Sequence, residues 1–407
     1  MPDLASILER ESRTVEAPGD FERLVRRRDR RRRNRRIGAV VVALVLSSLA
    51  IVGLVRAFEV GERTTPADTP PPTGLAVCPA GSAPDEPGPR DQPRPRFGDV
   101  PVVSAFDAAA QRMIVMSWDA GNAWTFDVCS NTWAPLPSPP WTEGGPRALV
   151  NDAGSDLTVA IAPNGEVWAL DLATGRWMAR EPWPALWSVN AVYDSTRDLI
   201  VVRERSTSKM WTYDVDTDVL EPLEQGSLVP VVANQESGHP DLHNQVMTYD
   251  PSVDRLILYL GDACGGCEGK EWPGEETWEF DLAARAWMRQ QADTPEIGWP
   301  FVEPIGNEFV FDPEHGVSVV FSDGIVASYD ASAHRWDVLF GDRPGDAGRF
   351  QWLEFAMAYD SINERIVVAA GDVWHGDERT NPDDVWAFEI DSGEWVELLP
   401  RSDPEGG

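Results

Sequence analysis

The chain has 407 residues and carries 67 acidic against 35 basic side chains, a formal net charge of −32. The charge is divided unevenly: residues 1–36 hold 12 Arg and 7 acids, and the residues after them hold 23 basic and 60 acidic side chains, a net of −37. Such an acidic region is a poor candidate for binding nucleic acid or anionic lipid. It suits a solvated surface, a cationic partner or a metal ion.

A membrane-spanning helix is predicted at residues 37–55, which are nineteen residues without a charge. A helix of this length is about as long as a hydrocarbon core is thick. A cleaved signal peptide is the alternative, but it should have a shorter apolar run followed by small residues at a cleavage site. Because an Arg-rich run at 26–36 precedes the helix, the positive-inside rule predicts a single-pass membrane protein with a cytoplasmic tail at 1–36. Everything after residue 56 is then extracytoplasmic.

A proline-rich extracytoplasmic linker is predicted at residues 56–96, since residues 64–96 contain ten Pro. Such a stretch cannot bury a core, and it should hold the folded domain away from the membrane.

The four cysteines are all predicted outside the membrane, where an even number favours disulfide bonds. Cys264 and Cys267 stand in Cys-Gly-Gly-Cys, whose glycines permit a small local ring, and this leaves Cys78 to pair with Cys129. A zinc site would need a second ligand pair at suitable spacing. A redox motif is expected at a helix N-terminus, whereas this one follows a predicted strand.

Two motifs recur six times in the rest of the chain. The first is an aromatic residue, a spacer, a second aromatic or aliphatic residue and an acid, with a Trp six residues after the acid in most copies. Its copies begin at Trp124, Trp168, Trp211, Trp278, Ala327 and Trp386, and end at Trp133, Trp177, Leu220, Trp287, Trp336 and Trp395. The second motif precedes the first and is a residue pair ending in Asp, then a turn and an apolar run. Its copies are Phe106-Asp107, Asn151-Asp152, Tyr193-Asp194, Tyr249-Asp250, Phe311-Asp312 and Tyr359-Asp360.

Each unit is therefore predicted to form four short strands, A to D, joined by turns. Six such units predict a β-propeller at residues 97–400, followed by a tail at 401–407.

The two motifs resemble those of the Kelch-repeat β-propellers, the first their C–D region and the second their A–B region. The resemblance covers about residues 97–400, although the Gly-Gly pair that the family has after strand B stands here as Gly261-Asp262 and Gly371-Asp372. It implies that the aromatic residues pack between blades and that the acids accept hydrogen bonds from turn N–H groups. The predicted fold is all-β: a six-bladed Kelch-like β-propeller preceded by one transmembrane helix and a Pro-rich linker.

A ligand is expected at the end of the propeller where the B–C and D–A loops lie. All eight Trp outside the motifs are predicted there, as are the longest loops, at 221–244, 261–276 and 371–384. Trp rings stack on sugars and hold apolar or cationic groups, and the alternative is that these rings cap the ends of blades. The candidate ligand-binding residues are Trp118, Trp141, Trp183, Trp187, Trp272, Trp299, Trp352, Trp374, His243 and His375.

No cofactor and no metal site is predicted, and calcium is an option that no set of residues supports. His243 and His375 could converge on a metal with nearby acids, but Pro240 prevents a helix from aligning His243 with His239. At the opposite end, His315 and His334 are predicted in exposed turns.

The sequence favours a non-catalytic function. Among Kelch-type propellers, galactose-oxidase-like copper enzymes need Tyr and His ligands and a Cys–Tyr crosslink, but five of the six Tyr belong to the structural motifs. The favoured function is a binding module in the cell membrane for a cell-envelope glycan or an exported protein. The alternatives are an extracytoplasmic carbohydrate-active enzyme that uses the same end, or a transmembrane sensor that signals through residues 1–36. The oligomeric state is left open.

Overall fold

A computed structural model describes residues 87–97, 100–119, 122–186, 188–230, 245–260, 276–290, 309–322, 325–341, 351–353, 355–369, 372–375, 378–380 and 383–402. All of them belong to one compact unit, Gly74–Gly407. The other unit, Met1–Thr73, contains the predicted cytoplasmic tail and membrane helix and lies outside the described residues. Across the ranges that the structure describes, no helix has the length and apolarity needed to span a membrane.

The described residues form six four-stranded antiparallel sheets, each of which is one blade with strands A to D in chain order. The strands of blades 1 to 3 are β1 (Val102–Asp107), β2 (Arg112–Ser117), β3 (Ala123–Asp127), β4 (Thr132–Pro135), β5 (Ala148–Asp152), β6 (Leu157–Ile161), β7 (Val167–Asp171), β8 (Arg176–Ala179), β9 (Val189–Asp194), β10 (Leu199–Glu204), β11 (Met210–Asp214) and β12 (Val219–Leu223). Those of blades 4 and 5 are β13 (Gln245–Asp250), β14 (Arg255–Leu260), β15 (Glu276–Asp281), β16 (Ala286–Gln290), β17 (Phe309–Asp312), β18 (Val317–Ser322), β19 (Ile325–Asp330) and β20 (Arg335–Gly341).

Blade 6 is accompanied by a small three-stranded sheet. The strands from there to the C-terminus are β21 (Gln351–Leu353), β22 (Ala356–Asp360), β23 (Arg365–Ala369), β24 (Asp372–His375), β25 (Glu378–Thr380), β26 (Val385–Glu389) and β27 (Glu394–Leu399). Blade 6 consists of β22, β23, β26 and β27, and the small sheet has the order β21-β24-β25. Because β21 lies in a D–A connection and β24 and β25 lie in a B–C connection, the small sheet belongs to the loop-rich end.

The six A strands form a closed ring. Each contacts the A strand of the next blade, from β1 through β5, β9, β13, β17 and β22, and β22 contacts β1. Ring closure leaves only short sheet edges exposed, which is how a propeller avoids edge-to-edge pairing. The predicted all-β, six-bladed propeller is therefore confirmed.

The A–B and C–D turns all have the same construction in the described chain. Each turn contains one residue with positive φ, such as Asn131 at 54° and Asp254 at 57°. In eleven of the twelve turns the preceding strand ends in an Asp that accepts hydrogen bonds from the turn, as Asp127 Oδ1 does from Cys129 N at 2.9 Å and Asp250 Oδ1 from Ser252 N at 2.8 Å. This confirms the predicted role of the repeated acids.

The Trp that follows the acid by six residues is explained by pairing across the C–D hairpin. Phe126 lies directly opposite Trp133, and their ring centroids are 5.1 Å apart. The same pairing recurs in blades 4 and 6 with centroid distances of 5.0 and 5.2 Å. Directly opposed residues share one face of a sheet, so these rings pack between blades. As predicted, all ten motif Trp are buried or half-buried.

Residues 87–97, which precede blade 1, tie it to blade 6. The four strands of blade 1 all come from the start of the propeller and those of blade 6 all come from its end, so neither sheet combines strands from both ends of the chain to close the ring. Instead, Gly88 N donates to Leu398 O at 2.8 Å, and Arg94 Nη1 donates to Asp383 O at 3.0 Å and Pro400 O at 2.6 Å. Phe97 adds to a core cluster that both blades share.

Candidate ligand-binding end

At the end formed by the A–B and C–D turns, several arginines are paired with acids. Arg112 donates to Asp127 at 2.9 Å, within blade 1. Arg197 joins blade 3 to blade 4, because its guanidinium donates to both carboxylate oxygens of Asp254 at 2.6 and 2.7 Å and to Asp194 at 3.0 Å. Bidentate pairs of this kind are strong and fix geometry. These arginines therefore serve the propeller itself.

A buried acid at the same end joins blades 4 and 5. Glu279 is completely buried in β15, and its carboxylate accepts hydrogen bonds from Arg255, from Tyr329 Oη at 2.8 Å and from His334 Nδ1 at 2.9 Å. Burial and the bond to Glu279 raise the pKa of Tyr329. Since these groups satisfy one another, they form a structural cluster. The corresponding C-strand positions of the other blades are Thr125, Ala169, Thr212, Ser328 and Ala387.

The two histidines of this end differ from each other. His334 is exposed, as predicted. The expectation for His315 was wrong, because its ring lies half-buried between two carboxylates, with Nδ1 2.7 Å from Asp312 and Nε2 2.9 Å from Asp391. The hydrogen bond to Asp391, with that to Asp312, raises the pKa of His315 despite partial burial.

At the opposite end, two of the candidate Trp and one arginine lie between blades 1 and 2. Trp118 follows β2 and extends its pairing, since Trp118 N donates to Pro101 O at 2.8 Å. The D–A connection to blade 2 then returns to it, because Gly145 N donates to Trp118 O at 2.6 Å. A Cβ at Gly145 would lie 2.5 Å from Ser117 O, so only glycine permits this approach.

The returning loop is held at both ends by blade 2. Thr142 N donates to Glu166 at 3.0 Å, and Arg147 N donates to Ile161 O at 2.7 Å. Trp141 lies in this loop and packs edge-on against Trp168, with ring centroids 6.4 Å apart at 80°.

The guanidinium of Arg147 stacks on Trp118, with Cζ 3.9 Å from the ring centroid. We call Trp118, Trp141 and Arg147 the blade 1–2 platform. All three residues are half-buried, and both indoles pack against the same core cluster. Arg147 Nη1 and the indole N–H groups of Trp118 and Trp141 are buried and have no acceptor among the residues that the structure describes. Burial lowers the pKa of Arg147, as expected for a cation removed from water.

Among the other candidate ligand-binding residues, Trp183 lies apart from the platform, in a different core cluster. Trp183 is buried and packs edge-on against Tyr213, with ring centroids 4.9 Å apart. On the small sheet, Trp374 is paired with Gln351 and Trp352 with Val373, and His375 is paired with Glu378. Four candidates lie outside the described residues: Trp187, Trp272, Trp299 and His243.

The structure addresses the predicted disulfides only in part. Cys129 is not a free thiol. Cys78, Cys264 and Cys267 lie outside the described residues, so their pairing stays a prediction. In the part of the chain that is described, no cluster of three or more His, Cys, Asp or Glu side chains could hold a metal ion.

Arg203 is a buried charge near the loop-rich end that sequence reasoning missed. Its side chain is fully buried, and it donates to Gln245 Oε1 at 2.6 Å, Ser208 Oγ at 2.8 Å and Pro230 O at 3.0 Å. Burial and the nearby Arg205 lower its pKa to about 9. Aligning the six units would have revealed it, because the same B-strand position is apolar in the other blades: Met116, Ile161, Tyr259, Phe321 and Ala369.

The closed ring of blades defines the class of the protein, a six-bladed β-propeller, and this fold hosts many functions. No protein-family model matches the chain, and no curated protein matches it. The chain is similar to a solved structure of a protein of unknown function from Bacteroides thetaiotaomicron, with 10% sequence identity and a TM-score of 0.46 over 72% of each chain. At this level the similarity assigns no function.

Proposed function

We propose that the protein is a membrane-anchored binding module whose Kelch-like propeller lies outside the cell and recognises a cell-envelope glycan through the blade 1–2 platform. The anchor is supported by the uncharged run at 37–55 and the Arg-rich run before it. The Kelch assignment is supported by the two repeated motifs.

The observation that carries the proposal is the contrast between the two ends of the propeller. Several described arginines of the turn end are paired with acids, whereas the platform presents two half-buried indoles and an arginine without a carboxylate partner in the described chain. Indole rings bind the apolar faces of sugars, and N–H donors hold their hydroxyl groups. A surface with partly exposed rings and an arginine without a carboxylate partner suits a saccharide.

The test is binding of the full chain, purified in mild detergent, to an array of glycans and cell-wall polysaccharides with and without calcium. Trp118→Ala and Trp141→Ala are compared with Trp395→Ala, a half-buried Trp of blade 6 near the turn end. Each variant is first shown to be folded by its thermal unfolding. We expect saccharide binding that the first two variants lose and the third retains.

The result also separates the competing functions. A saccharide that binds equally well to Trp118→Ala and to the native protein would refute the platform as the site. If folded protein binds no saccharide, the glycan proposal is wrong, and crosslinking in the cell envelope would then identify a protein partner. Turnover of a bound saccharide would indicate a carbohydrate-active enzyme.

A further inference from the structure

Arg147 occupies a position where packing alone does not require an arginine. It stands five residues before the Asp that ends strand A of blade 2. The equivalent residues of four other blades are Val102, Val189, Gln245 and Phe355. Three of these are apolar, so the blade architecture is satisfied there without a charge. The guanidinium is also expensive to bury, because a cation removed from water needs compensating partners.

Arg147 lacks the carboxylate partner that several described arginines of similar burial have. Arg197 has Asp254 and Arg255 has Glu279, but no carboxylate of the described residues lies within salt-bridge distance of Arg147. Acids are abundant in the chain, since residues 37–407 contain 60 acidic side chains against 23 basic ones. An arginine without a carboxylate partner in such a chain can pair with an anion that reaches the exposed part of its side chain.

Arg203 shows what a purely structural arginine looks like in the same part of the fold. It also lacks a carboxylate in the described chain, but it is fully buried and its guanidinium is bonded to Gln245, Ser208 and Pro230. Arg147 differs in being half-buried and in having an Nη1 with no acceptor among the described residues. Its guanidinium stacks on Trp118, and this contact orients the planar group without pairing its charge.

From this placement we infer that Arg147 binds the carboxylate of an acidic saccharide, a uronate, whose ring lies against the indoles of Trp118 and Trp141. A planar guanidinium matches a carboxylate with two parallel N–H···O bonds. The overall negative charge of the propeller does not prevent this contact, because charges more than about 8 Å away are largely screened at physiological ionic strength. The inference rests on the proposed glycan-binding function and specifies its ligand.

The experiment compares matched saccharides that differ only in the carboxylate. Oligomers of galacturonate, glucuronate and mannuronate, and their carboxyl-reduced counterparts, are titrated into the full chain in detergent by calorimetry. The native protein should bind at least one uronate about 10- to 100-fold more tightly than its reduced form, as expected for charge-assisted hydrogen bonds. Arg147→Met keeps an unbranched apolar stem next to Trp118 and should bind both forms equally. Arg147→Lys should restore part of the preference.

The control is Arg335→Met, which removes an exposed arginine paired with Asp337 at the turn end and should leave the preference unchanged. The inference is overturned if the native protein does not distinguish the two forms, or if Arg147→Met keeps the preference. In either case, saccharide binding that depends on Trp118 would still support the proposed function. If the native protein binds none of the six saccharides, the inference is overturned. If the wider array is negative as well, the proposed function is also wrong.

Discussion

Replacing Arg94 with alanine should weaken the closure of the propeller ring. The side chain of Arg94 is 5% exposed and lies between the segment before blade 1 and the end of blade 6. Its guanidinium donates to the main-chain oxygens of Asp383, Pro400 and Arg90 at 3.0, 2.6 and 3.0 Å, and it lies 3.4 Å from the carboxylate of Asp383. The variant Arg94→Ala would leave two carbonyl groups of blade 6 without their donor.

The size of the effect follows from those contacts. A hydrogen bond to a charged group contributes about 1.5–3 kcal/mol, and more is lost when the remaining partner stays buried and unpaired. Two such bonds cross from residue 94 to blade 6, and Arg90 O lies within the same segment. We therefore expect Arg94→Ala to lower the free energy of unfolding by about 3–5 kcal/mol.

The assay is urea unfolding followed by tryptophan fluorescence, with Arg335→Ala as the matched control. Arg335 is also paired with an acid, Asp337 at 2.7 Å, but its side chain is 63% exposed. Exposed pairs contribute little, so the control should change the free energy of unfolding by about 0.5 kcal/mol or less. If Arg94→Ala behaves like the control, residues 87–97 do not close the ring and the reasoning is wrong.

Two further predictions concern buried acids. Glu279→Gln should lower the free energy of unfolding by about 2–4 kcal/mol, because Arg255 loses its buried counter-charge, whereas Glu394→Gln on the exposed surface should have almost no effect in the same urea assay. Burial raises the pKa of the Asp152 carboxyl to about 6, so the folded state favours the protonated form. The stabilisation from this protonated carboxyl is fully present below about pH 4 and is lost as the pH rises through about 6. Asp152→Asn should therefore unfold at a higher urea concentration than the native protein at pH 7, with a smaller difference at pH 4, and an identical pH dependence of the two proteins would contradict this.

The blades could be predicted from the sequence because their determinants are local. The Asp at the end of a strand binds the N–H groups of the turn that follows, as Asp127 does with Cys129. The Trp six residues after the acid lies opposite the aromatic residue of the preceding strand, as Trp133 does with Phe126. Both relations lie within one hairpin, so a repeated pattern is enough to reveal them.

The platform could be predicted only in part. The sequence indicated the correct end for Trp118 and Trp141, because strand order alone decides on which side a loop lies. It did not indicate Arg147, since its contact with Trp118 depends on a loop that leaves blade 1 and returns over it at Gly145. Contacts between blades are set by the packing of the ring and leave no spacing rule in the chain.

The buried charges are visible in the sequence as departures from the repeat. Arg203 and Glu279 stand at positions where the other blades have apolar or small residues, so an alignment of the six units marks both. Such an alignment does not distinguish a charge that is satisfied inside the protein, as Glu279 is, from one that is available to a ligand, as we propose for Arg147. The reason is that partners such as Tyr329 and His334 come from the next blade.

The most direct test of the ligand-binding end is hydrogen exchange of the full chain with and without the saccharide that binds best. Binding at the platform should slow amide exchange in peptides that cover residues 115–119 and 139–147, where Trp118 N and Gly145 N are hydrogen-bonded at the loop-rich end. Peptides that cover the turns at 127–132 and 194–199 should exchange at unchanged rates. Protection confined to those turns would place the ligand at the opposite end of the propeller and contradict the proposed site.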